Sequence, residues 1–237
     1  VGVFRIFDAL NDIRNLKVAI DAALACQEKP HVQGCLVYTI SPVHSNESFV
    51  ELAVKLESMG CHSVCIKDMS GLLKPYVAED LVKKLKSSVK IPIELHTHCT
   101  SGFGHATYLK AVEAGVDIID TALAPFSSDT SQPCTETMVA MLEGEDRDTG
   151  LNRQAMTPIS KYFLQVKQDL IKTFGLKGYF DVNPNVLDFQ IPGGMLSNLA
   201  NQLKEAGMED RYQDLLDEMP RVRKDIGYPP LVTPSSQ

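Results

Sequence analysis

Five short apolar runs, each followed by a stretch of helical period, fill the first 144 of the 237 residues. The runs at 3–8, 35–40, 63–67, 91–98 and 117–122 have strand length. The segments at 13–27, 47–59, 77–86, 105–114 and 135–142 repeat apolar residues every three or four positions, as Leu16, Ala19, Ile20, Ala23 and Leu24 do. Ser45 or Asn46 is placed to cap the second helix and Gly60 to close it. Strands alternating with single helices are βα units, and βα units build parallel sheets. The reading is an α/β chain of the (β/α)8 TIM-barrel type. Five strands stand where a barrel has eight, and the chain opens with Val1 directly in a strand. A barrel truncated at its N-terminus is therefore expected, with residues 1–144 as its C-terminal part and the strand at 3–8 as an interior barrel strand.

From about residue 145 helical patterns take over, at 158–174, 196–206 and 211–225. They are interrupted by Gln190-Ile191-Pro192-Gly193-Gly194-Met195, read as a tight loop. Residues 145–237 are expected to form a C-terminal helical extension, itself cut short. Hydrophobic residues make up 44% of the chain, enough for a sizeable core, and the net charge is −7. Scattered basic residues on an acidic chain argue against nucleic acid as a partner. No apolar stretch approaches the roughly 20 residues of a membrane helix. Six cysteines without metal-site spacing read as reduced thiols of a cytoplasmic protein.

Parallel α/β folds place their chemistry at the C-terminal ends of strands, and polar residues recur there: Asp8, Thr39, Lys67-Asp68, His96/His98 and Asp120-Thr121. His96 and His98 are two apart on one strand, so both imidazoles share a face and converge as ligands for a divalent metal. Lys67 ends an earlier strand. It is either a buried lysine paired with Asp68 or a barrel carboxylate, or a lysine carbamylated by CO2, whose oxygen can join the two imidazoles on Zn2+ or on another divalent metal such as Mn2+ or Co2+. No fourth protein ligand is evident. Thr130 lies in a hydroxyl-rich loop, residues 122–133, on the same face; it either packs, or carries a proton or binds an anion. Arg5 and Asp8 have opposite parity, so at most one of them faces the site. His31, His44, His62 and His105 lack partners at telling spacing and read as structural.

The stretches Phe4-Arg5-Ile6-Phe7-Asp8-Ala9-Leu10-Asn11, Ile66-Lys67-Asp68-Met69-Ser70-Gly71, His96-Thr97-His98-Cys99-Thr100-Ser101-Gly102, residues 114–122, Thr130-Ser131-Gln132-Pro133 and residues 190–195 span nearly the whole chain. In them the chain resembles the carboxyltransferase domain of biotin-dependent enzymes, a group that includes pyruvate carboxylase B subunits and the oxaloacetate decarboxylase α subunit. The resemblance implies the barrel with a helical funnel, Lys67 as the carbamylated metal ligand, His96 and His98 as the imidazole ligands, and Thr130 as the proton shuttle between pyruvate and biotin. It implies pyruvate and oxaloacetate as substrates and biotin as carboxyl carrier on another domain or subunit. Partner biotin carboxylase or decarboxylase subunits and a homo-oligomer are implied as well, with a peripheral membrane complex if the protein is of the decarboxylase type. The family's first-strand Asp ligand, its Arg-Asp-x-x-Gln motif and its Leu-Arg-Gly segment do not occur here. An acyl-CoA lyase or 2-isopropylmalate-synthase-like enzyme shares the barrel and the paired histidines, but Lys67 in its Lys-Asp-Met setting discriminates against it. An inactive barrel fragment is the non-enzymatic alternative.

Overall fold

The computed structural model describes residues 1–175 and 182–232. Five strands, β1 (Val3–Ile6), β2 (His31–Val37), β3 (Ser63–Asp68), β4 (Ile93–Thr97) and β5 (Ile118–Ile119), pair in parallel in the order of the chain. Helices α1 (Ile13–Leu24), α2 (Asn46–Ser58), α3 (Pro75–Ser88) and α4 (Gly104–Glu113) connect them, and α5 (Thr135–Leu142) follows β5. A doubly wound sheet reverses its strand order at a switch point. Strictly sequential order with right-handed crossovers keeps every helix on one side, which is the arrangement of a (β/α)8 barrel.

Strand alternation sorts the residues. Val32, Leu36, Val64, Ile66, Ile93 and Leu95 are fully buried against helix residues such as Leu16, Ile20, Leu56, Leu81 and Leu85 in one core cluster. Gly34 shares this face because a Cβ there would lie 2.8 Å from Leu56 Cδ2. The opposite face carries Arg5, Gln33, Lys67, Glu94 and His96. Arg5 on β1 hydrogen-bonds Glu94 on β4 and Asp120 just past β5. In a flat sheet β1 and β5 would stand about 19 Å apart, four strand spacings, far beyond the reach of an arginine. The sheet is therefore curved around these residues, and its polar face is the inside of the arc.

Several boundaries differ from the sequence expectation. β2 runs from His31 to Val37 rather than over 35–40. Its inner face starts polar, with His31 and Gln33, the latter bonded to Ser63 and Glu94, which hid its start. Thr39 and Ile40 leave the sheet because the C-terminal part of the chain holds them. Gln190 Nε2 donates to Ile40 O at 3.0 Å, and Arg223 donates to Ile40 O and Thr39 Oγ1 at 2.9 and 2.7 Å. β5 is two residues long, not six. Helix α6 (Arg153–Phe174) begins five residues before Pro158, capped by the Asn152 side chain on Ala155 N–H.

Beyond it lie α7 (Val186–Phe189), α8 (Gly193–Glu205) and α9 (Tyr212–Asp225). Gly193 and Gly194 are not a loop but the first turn of α8. Val186, Phe189, Ile191, Met195, Leu196 and Leu216 join the same core cluster as the strands. Residues 233–237, the end of the expected extension, lie outside the described residues. No helix among the described residues is long and apolar enough to cross a membrane, and all six cysteines are free thiols.

Candidate metal centre

The C-terminal ends of β3 and β4 bring Lys67 and His96 into register as neighbours. His98 sits just past β4, its backbone N–H bonded to Asp68 O. The two imidazoles meet: His96 Nε2 and His98 Nε2 are 3.1 Å apart, with the rings at 70°. The outer nitrogen of each ring faces an acceptor. His96 Nδ1 lies 2.8 Å from Asp120 Oδ2, and His98 Nδ1 lies 2.6 Å from Thr130 O. A carbonyl or carboxylate oxygen there requires the proton on Nδ1, and the two Nε2 atoms face one point. Burial lowers the His98 pKa to about 4, so this ring is neutral at physiological pH. The Gln132 amide approaches the same His98 nitrogen at 3.2 Å.

Lys67 points into the arc with its Nζ 5.1 Å from the centre of the Phe7 ring. Among the described residues it makes no ion pair. Asp68, the partner weighed from sequence, turns to the helix side, where it accepts from Leu72 N, Leu73 N and Thr97 Oγ1. Strand parity separates the two adjacent side chains. Burial raises the Asp68 pKa against the pull of those three donors.

Below the histidines lies a charged network. Arg5 donates to Asp120, to Glu94 and, at 2.6 Å, to Gln33. Burial raises the Glu94 pKa, and the neighbouring Asp120 adds to that. Burial would raise Asp120 too, but hydrogen bonds from His96 and Arg5 overcome it and hold this carboxyl well below the usual range. One guanidinium thus faces two carboxyl groups. Asp8 turns away, accepting from Leu10 N and Asp12 N in the turn before α1. Glu94 is hidden in sequence by the apolar run around it, although Glu94, His96 and His98 share parity and form one polar inner face. Asp120 stands at a strand end, but nothing local pairs it with His96.

Thr130 meets the site through its backbone carbonyl. Its methyl side rests on α8: a Cβ on Gly193 would lie 2.4 Å from Thr130 Cγ2. Ser128 and Asp129, both at positive φ, turn the loop so that Thr130 reaches His98. A cavity of about 150 Å³ beside it is lined by residues 126–131 and Lys167. The remaining histidines have structural partners: His31 with Ser63, His44 with Ser41, His62 with Val32 N and His105 with Cys134 N.

Comparison with known proteins agrees with the resemblance read from the motifs. The chain is 52% identical over 237 residues to the pyruvate carboxylase B subunit of Methanocaldococcus jannaschii, covering all of this chain and 41% of that protein. It is 44% identical over 239 residues to the methylmalonyl-CoA carboxyltransferase 5S subunit of Propionibacterium freudenreichii, covering 46% of it. The carboxyl transferase domain of Rhizobium etli pyruvate carboxylase superposes with a TM-score of 0.91 at 37% identity, covering all of this chain and 40% of that one. The chain thus spans less than half the length of these relatives. A conserved carboxylase domain model matches residues 186–237. The HMGL-like family model matches residues 16–162, well over half of the sequence, and the chain belongs to that family.

Proposed function

We propose that this chain carries part of the carboxyltransferase centre of a biotin-dependent enzyme, moving a carboxyl group between carboxybiotin and pyruvate or oxaloacetate beside a divalent metal. One observation carries the reading: two Nε2 atoms face each other at 3.1 Å while both Nδ1 atoms are committed to acceptors. Two unprotonated Nε2 atoms in that pose repel unless a cation lies between them. Nitrogens about 2.0–2.1 Å from one tetrahedral Zn2+ stand about 3.3–3.4 Å apart, close to the separation seen. The donor set therefore fits a divalent transition metal held by His96, His98 and Lys67. Lys67 would ligate as the carbamate formed when its neutral amine adds CO2 and loses a proton; that it makes no ion pair among the described residues supports this role. When bound, the metal supplies Lewis acidity that polarises the pyruvate carbonyl and stabilises enolate charge.

The chain's own groups do the rest. Asp120 and the Thr130 carbonyl fix both ring tautomers. The Thr130 hydroxyl moves the proton: it takes one from the pyruvate methyl as the enolate forms and gives its own to the ureido nitrogen from which the carboxyl departs. The proton from the methyl restores the hydroxyl, and the enolate carbon then bonds to the released CO2, giving oxaloacetate. Residues 1–144 act as the C-terminal part of the barrel and 145–237 as its helical extension. Biotin arrives on a carrier from another domain or subunit.

The test uses the full-length protein containing this chain. His96→Ala, His98→Ala and Lys67→Arg are expected to lose bound zinc or cobalt, measured by elemental analysis, and to lose turnover with it. Thr130→Ala is expected to keep its metal and lose about 10²–10⁴-fold in pyruvate-dependent decarboxylation of carboxybiotin, and Thr130→Ser to recover much of this. Metal retained in both histidine variants, or a near-wild-type rate in Thr130→Ala, refutes the assignment concerned.

A further inference from the structure

The residue tying the metal-side histidines to the rest of the arc is Arg5, at the opposite end of the sheet. Its guanidinium crosses the lumen from β1 and donates through Nη1 to Asp120 Oδ2 at 2.5 Å, a contact spanning 115 residues of sequence. The same Asp120 oxygen accepts His96 Nδ1–H at 2.8 Å. A second arm of Arg5 donates to Glu94 on the strand that carries His96, and its Nε donates to Gln33 at 2.6 Å. Gln33 bonds Glu94 in turn at 2.8 Å. The guanidinium is thus fixed at three points, and Asp120 is held between it and His96. Without Arg5, two partly buried carboxylates would face each other without a cation between them. Asp120 could then relieve the repulsion by turning toward solvent, releasing the Nδ1 proton of His96 to migrate to Nε2. A ring protonated on Nε2 has no lone pair to offer there.

We infer that Arg5 is a positioning residue for the metal centre: through Asp120 it locks His96 in the Nδ1–H tautomer and so sets metal affinity. This deepens the proposed function and rests on its metal site. A lysine cannot replace it, because one ammonium cannot span Asp120, Glu94 and Gln33 in the fixed directions of a guanidinium.

The test compares wild type, Arg5→Met, Arg5→Lys, Asp120→Asn and Arg5→Met/Asp120→Asn in the full-length protein. Zn2+ and Co2+ affinities are measured by chelator competition, and the His96 tautomer by 15N imidazole NMR on the metal-free form. Arg5→Met is expected to weaken metal binding roughly 10–100-fold, the loss typical of removing a group that orients a ligand. Arg5→Lys should fall between it and wild type. The double variant should bind no more weakly than Asp120→Asn alone, since both changes act through one carboxylate. The NMR should show Nδ1–H in wild type and a mixture in Arg5→Met. Arg5→Lys keeps the charge inside the arc, so it reports even if Arg5→Met does not fold. Wild-type affinity and tautomer in Arg5→Lys, or strictly additive losses in the double variant, overturn the inference and leave the metal site standing. A wild type that binds neither ion overturns both.

Discussion

Gly193→Ala perturbs the point where the helical part of the chain touches the candidate site. A Cβ at 193 would lie 2.4 Å from Thr130 Cγ2, 2.5 Å from Thr130 Cβ and 3.4 Å from Thr100 Oγ1. Carbon atoms pack at about 3.5–4.0 Å, so Thr130 or the start of α8 must withdraw by about 1 Å. Neither gives easily, because the clash reaches the Cβ of Thr130 and not only a rotatable end. If Thr130 moves, its carbonyl leaves His98 Nδ1, and a 2.6 Å hydrogen bond becomes a gap of about 3.6 Å. Overpacking typically costs about 1–3 kcal/mol and the lost bond about 0.5–1.5 kcal/mol, so a destabilisation of about 2–4 kcal/mol is expected. A displacement of that size at Thr130 should also lower carboxyl transfer on the order of 10²-fold. Gly194 supplies the control. Nothing lies within 4 Å of a Cβ there, so Gly194→Ala should be neutral or stabilise α8 by up to about 1 kcal/mol. Urea unfolding and turnover of the two full-length variants decide the matter. Equal stability and equal rates in Gly193→Ala and Gly194→Ala would show that Thr130 is not seated on Gly193.

Two further expectations follow from the buried groups. His98 in the folded chain is held near 4 by burial, against its ordinary 6.5. Between those values the unfolded chain takes up a proton that the folded chain refuses, so stability of the metal-free protein should fall as pH drops from about 6.5 toward 4 and level off below. The ceiling is about 3 kcal/mol, and His98→Gln should flatten this part of the profile; an unchanged slope in that variant removes His98 as its source. Native alkylation with mass-spectrometric mapping should label Cys26 first among the six thiols, because the other five are buried and burial pushes Cys61 up to about 11 and Cys99 to about 12. Labelling of Cys99 as fast as Cys26 would contradict the packing around it.

Much of the candidate site's geometry is legible in sequence because it depends on local backbone geometry. His96 and His98 converge through strand alternation alone. Lys67 stands out as a lone lysine ending an apolar run, and parity separates Arg5 from Asp8 before any fold is known. The same rule, applied to Glu94, extends the polar face one step further down the strand. The strand boundaries fail where the inner face is polar or the ladder brief, at β2 and β5. At the start of β2 the hydrophobic pattern that marks a strand is supplied by only one of its two faces, and β5 pairs over only two residues.

The sequence by itself determined the βα alternation, the parallel strand order and the convergence of His96 and His98, because each follows from side-chain period and chain connectivity over a few residues. Tertiary structure alone decided what those histidines can do. Curvature of the sheet brings Arg5 to Asp120 across 115 residues, Asp120 and Thr130 commit both ring tautomers, and the packing of Gly193 seats Thr130. Those contacts join residues distant in sequence, and their geometry comes from how the sheet bends and the helices pack rather than from any local preference of the chain.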